Sequence, residues 1–88
     1  MNQSQNDLRK ASQLIIGVLD DPLNIGAALA QWPKTDEGSE KALKNAYHFL
    51  HHYLADEDIR KRDAGYANRQ RETLKHFADE LSARAQNL

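Results

Sequence analysis

Residues 42–54 read Ala42-Leu43-Lys44-Asn45-Ala46-Tyr47-His48-Phe49-Leu50-His51-His52-Tyr53-Leu54, the richest apolar stretch of the chain and the home of three of its four histidines. Turned through about 100° per residue, the side chains separate. Ala42, Leu43, Ala46, Tyr47, Phe49, Leu50, Tyr53 and Leu54 gather on one arc of roughly 160°, while Lys41, Lys44, Asn45, His48 and His52 lie opposite and His51 sits at the border. So wide an arc needs more than one partner helix. The segment is therefore expected to be the central helix of an all-α bundle.

The pattern changes after Leu54. Were the helix to continue, Ile59 would point about 180° from the centre of the apolar arc, so the stripe changes sides. Asp56, Glu57 and Asp58 nonetheless stand four residues ahead of Arg60, Lys61 and Arg62. Each acid-to-base pair adds about 0.2–0.5 kcal/mol to a local helix. The pattern predicts a short helical connector over 57–62, flanked by bends. Asp63 then caps a last helix with Gly65 in its first turn, presenting Tyr66, Thr73, Leu74, Phe77 and Leu81 with Gln70 among them. The alternative is one continuous helix from Ser39 to about Ala85, its halves buried on different bodies as in an intertwined dimer. Short connections are the rule in small domains, which favours the bent chain.

Ahead of the central helix, Trp32-Pro33-Lys34 is a stop. Thr35 or Ser39 is expected to cap that helix, and Asp36, Glu37 and Glu40 suit its positive end. The preceding stretch, 23–32, is apolar all round: Leu23, Ile25, Ala27, Ala28, Leu29, Ala30 and Trp32. A helix with no polar face is buried between neighbours or covered by another subunit. Gly26 offers room for a close crossing, at about 1 kcal/mol of helix propensity relative to alanine. Asp20-Asp21-Pro22 divides this stretch from a first helix over about Gln5 to Leu19, with Asp21 as N-cap and Pro22 at the first helical position. Leu8, Ala11, Leu14, Ile15, Val18 and Leu19 form its apolar arc, Ile16 lies off that arc, and Ser4 with Asp7 loosely matches a capping box. Residues 1–4 and 86–88 are expected to fray.

Eighty-eight residues make one domain, 1–88, of three main helices plus one or two short connectors. A chain this size hides only about 60–65% of its unfolded surface. Disulfides and thiolate metal sites are excluded because there is no cysteine, which fits a reducing compartment. The formal net charge of −1 gives no electrostatic reason to expect nucleic acid or an anionic membrane as partner. No apolar run approaches the ~18–20 residues of a membrane span. The opening residues carry no signal-type segment, so a soluble cytoplasmic protein is expected.

Candidate chemistry is sparse. His48 and His52, at i and i+4 with Asp56 one turn on, could reach one divalent metal, which for zinc needs three or four converging ligands. The His-Glu-x-x-His pattern is absent, and a solvated polar face accounts for the same residues. A symmetric dimer could bring a second histidine pair opposite the first. Arg69, Arg71 and Lys75 could form the basic part of a recognition helix, but the bases spread around the axis and are interrupted by Glu72, Asp79 and Glu80. No nucleophile motif, separable carboxylate pair or cofactor motif is present, so no enzyme and no cofactor is expected. The small core, the two broad arcs and the all-round apolar stretch point to self-association as a homodimer or docking to another protein, in a regulatory or adaptor role. Leu23, Ile25, Leu29, Trp32 and Tyr53 are the candidate contact residues; for Trp32, burial in the protein's own core is the simpler reading.

Overall fold

Asp21 and Pro22 make the first corner of the chain. Asp21 has an extended backbone (φ −145°) and its Oδ1 accepts a hydrogen bond from Leu23 N at 3.0 Å, while Pro22 fills the first helical position, where no amide donor is needed. The computed structural model describes residues 3–34 and 41–86, and every regular element among them is helical. Helix α1 spans Gln3–Asp20; a 3-10 turn, Pro22–Asn24, leads into α2, Ile25–Gln31; then follow α3, Lys41–Ala55, α4, Glu57–Arg62, and α5, Ala64–Gln86. Three helices are long and two are short, an all-α architecture as the periodicities required. Helix α1 starts earlier than expected, so Ser4 lies inside it rather than capping it, and α5 carries on through Gln86. The expected caps at Thr35 or Ser39, with Asp36, Glu37 and Glu40, lie outside the described residues, as do residues 1–2 and 87–88.

The centre of the fold differs from expectation. The most extensive packing joins α1 to α5, and α3 lies against α2 and α5. Leu8, Ala11, Ile15 and Val18 of α1 are buried, as are Leu74, Ala78, Leu81 and Ala85 of α5. Small residues let the two backbones approach closely: Ser12 Oγ donates to the carbonyl of Ala78 at 2.9 Å, and Gln5 Nε2 to that of Ala85 at 2.8 Å. Alanine weighs little in a hydrophobic pattern, so Ala78 and Ala85 did not stand out beside Phe77 and Tyr66, both half-buried. On α3 the expected arc is the inner face, with Ala42, Leu43, Ala46, Leu50 and Tyr53 buried, and His48, His51 and His52 outside. Trp32 is 8% exposed, its ring centroid 6.0 Å from that of Tyr47.

The chain bends after α3, and the continuous helix is not formed. Asp56 breaks α3 from α4, and Asp63 (φ −138°, ψ 98°) is a single extended residue between α4 and α5. Asp63 Oδ1 accepts from Tyr66 N at 3.0 Å, the N-cap bond expected of it. Glu57 reaches Lys61 at 3.6 Å, one of the anticipated acid-to-base pairs, though between exposed side chains it contributes little.

Candidate functional site

The segment 23–32, apolar all round, is covered on one side only. Ile25 and Ala28 are buried and Leu29 is half-buried, but Gly26, Ala27 and Ala30 face out, and Leu23 is 86% exposed. The corner at 20–24 holds Leu23 there: besides the Asp21 cap, Asp21 N and Asn24 Nδ2 both donate to the carbonyl of Gly17, each at 3.0 Å, closing the end of α1. Leu23 stands on the rim of a groove of about 550 Å³, within the ~300–1,000 Å³ of ligand-sized sites. Ile25 and Tyr53 lie toward its floor, and Leu54, 43% exposed, continues the apolar lining. Gly26 also borders it. A β-carbon there would meet no atom within 4 Å, so this glycine opens space at the groove and serves no helix crossing, contrary to expectation.

The far wall is basic. Arg60, Lys61 and Arg71 line it with one carboxylate, Glu57, already reaching Lys61. Arg60 is the best fixed of the three. Its Nη1 donates to the carbonyl of Tyr53 and, at 2.9 Å, to Gln70 Oε1, and the guanidinium lies 3.6 Å from the centroid of the Tyr53 ring. A cation suits the negative end of α3, where the last carbonyls lack helical partners, and the ring face adds a cation–π attraction.

Behind Arg60 a closed set of hydrogen bonds ties the bend to α5. Asp56 Oδ2 accepts from Tyr66 Oη at 2.7 Å and from Gln70 Nε2 at 3.0 Å, and Gln70 Nε2 also lies 3.2 Å from Tyr66 Oη. Gln70 is only 6% exposed, and these partners explain a polar residue on an apolar stripe. The hydrogen bond to Asp56, then burial, then the Asp56 charge raise the Tyr66 phenol above its ordinary value near 10, against smaller opposing effects of Arg60 and Arg69.

The residues singled out in the sequence fall into three places. Leu23, Ile25 and Tyr53 share the groove; Leu29 and Trp32 belong to the core beside it. His48 and His52 come together, Nε2 to Nε2 at 3.1 Å with ring centroids 4.7 Å apart, but Asp56 is drawn to Tyr66 and Gln70. Among the described residues, no group of three or more His, Cys, Asp or Glu side chains could hold a metal ion. Arg71 lines the groove, Arg69 lies over the Tyr66 ring at 5.9 Å, and Lys75 is exposed. At about 100° per residue, Arg69 is turned some 200° from Arg71, so the three bases do not share one face. Sequence reasoning missed Arg60. Its signal was available: a base just beyond a helix C-terminus, in reach of the last carbonyls. Among the described residues, no helix is long and apolar enough to cross a membrane. Comparison of the chain with protein-family models, curated proteins and solved structures gave no match.

Proposed function

We propose that this protein works by docking to another polypeptide chain, a second copy of itself or a different protein, through the groove bounded by the 22–24 turn, the end of α3, α4 and the start of α5. Its role is then that of a regulator or adaptor. One observation carries the reading: Leu23, the most exposed large apolar side chain among the described residues, stands on the rim of a 550 Å³ apolar groove. Fully burying a leucine is worth about 1.5–3 kcal/mol, so covering Leu23 and Leu54 rewards a partner well. A contiguous apolar patch with a polar border is what contact sites on soluble domains look like. The Asp56–Gln70–Arg60 bonds support the same use, since they hold the basic wall in place before anything binds.

Site-specific photo-crosslinking in cells tests it. A photoreactive residue at Leu54 should give a discrete adduct that Leu23→Asp removes. The same residue at Gln13, exposed on α1 away from the groove, should give none. Equal adducts from both positions, or adducts indifferent to Leu23→Asp, would refute docking at this face.

A further inference from the structure

We infer that the occupant of the groove is a second copy of this chain, related by a two-fold axis so that Leu23 of each copy enters the groove of the other. The inference rests on the docking reading above and names its partner. A two-fold interface is self-complementary, so one patch must carry both projection and recess. This patch does: Leu23 projects from the rim of the recess it would fill in a neighbour. Gly26 matches the arrangement. It presents no side chain to the groove, leaving at least 4 Å of clearance at the wall beside which an incoming leucine would sit.

Charge is divided the same way. Asp20 and Asp21, both exposed, immediately precede Pro22 and Leu23 in the chain, so the projecting segment is acidic, whereas the groove lining carries Arg60, Lys61 and Arg71 against one carboxylate, Glu57. A two-fold axis that seats Leu23 of each copy in the groove of the other brings the acidic residues beside Leu23 to the basic lining of the partner, making every favourable contact twice. Arg60 is prepared for such a contact. Among the described residues its two hydrogen bonds both leave from Nη1, so Nε–H and Nη2 remain, the guanidinium edge that a carboxylate grips with two parallel bonds. A standard interface covers about 800 Å² per copy, a modest share of the 5720 Å² surface of this protein. Interfaces of that size begin at roughly micromolar affinity, so a reversible dimer is the expected form.

Sedimentation velocity on the full chain tests this directly. As concentration rises from about 1 to 300 µM, the mass should climb from 10.0 kDa towards twice that value. Leu23→Asp and, separately, Gly26→Leu should each weaken the dimer by about tenfold or more, the first by placing charge in the contact and the second by filling the recess. Thermal melts at low concentration should show no loss of stability in either variant, because position 23 is exposed and position 26 has open space where leucine is also the better helix former. Reversing the basic wall (Lys61→Glu with Arg71→Glu) or the acidic segment beside Leu23 (Asp20→Lys) should also weaken it by about tenfold, and combining both reversals should restore it. A wild-type chain that stays monomeric, a dimer indifferent to Leu23→Asp and Gly26→Leu, or wall reversals that fail to compensate would overturn the inference. The two readings fail separately. A monomer that still gives the Leu54 adduct with a different protein leaves docking standing without self-docking, whereas a monomer without adducts removes both.

Discussion

Replacing Gly26 with alanine should make the protein more stable. Gly26 is the second residue of α2, and its backbone is not in the left-handed region, so an L side chain fits without strain. The added β-carbon meets nothing within 4 Å, so no neighbour has to move. What remains is the smaller conformational freedom of alanine in the unfolded chain and its better helix propensity, together worth about 0.4–1 kcal/mol. For a domain of this size each kcal/mol moves the midpoint by about 4–8 °C, which gives a rise in Tm of roughly 2–8 °C. Thermal and urea unfolding followed by circular dichroism measure it. The protein should be kept at a few micromolar or below, since association makes Tm concentration-dependent. An unchanged or lower Tm, with an unchanged urea slope, would mean that the wall at position 26 is not open, and the steric account of the groove would fail with it.

The same type of change has the opposite sign under α1. Ala78→Leu adds bulk where Ser12 Oγ sits 2.9 Å from the Ala78 carbonyl, and it should cost about 1–3 kcal/mol in urea unfolding; a neutral result would show that α1 and α5 are not in close contact there. Tyr66 predicts an alkaline limit. Its raised pKa means the folded state favours the protonated phenol, so that contribution is complete at neutral pH and is lost as pH rises through the folded value, above about 10. Between pH 8 and about 11.5 the wild type should therefore lose more stability than Tyr66→Phe, and parallel loss in the two proteins would contradict the Asp56 hydrogen bond. Zinc at roughly micromolar concentration should leave Tm unchanged, because His48 and His52 supply two ligands where a stable site needs three or four. A rise that His48→Ala abolishes would show that further ligands join them.

The parts of the fold that could be read in the chain are those with local causes. Asp21-Pro22 is a corner whichever helices surround it, and the stripe that changes sides between Leu54 and Ile59 placed the 57–62 connector and the Asp63 cap. Long-range choices were not legible. The pairing of α1 with α5 rests on Ala11, Ala78 and Ala85, residues whose value lies in what they let approach rather than in the area they bury. Periodicity is also blind where every position is apolar. In 23–32 it could not say that Ile25 and Ala28 face in while Leu23, Ala27 and Ala30 face out. Gln70 reads as an interruption of a stripe until Asp56 and Arg60 are brought to it from the bend, beside Tyr66 one turn earlier on α5. Leu23, Ile25 and Tyr53, candidate contact residues in the sequence, line the groove, whereas its basic wall comes largely from a connector whose direction only the packed structure reveals.

The marriage of α1 to α5 also governs the order in which this molecule can form. Ser12 finds its acceptor 66 residues later, and Gln5 finds its own 80 later. A growing polypeptide leaving the ribosome thus exposes Leu8, Ile15 and Val18 until residues 74–85 have been made, and pairing at such separation lowers the folding rate relative to a bundle of adjacent hairpins. Ribosome-stalled intermediates that stop short of Leu74 should be protease-sensitive along α1, and chaperones that recognise oily helices would meet this protein early.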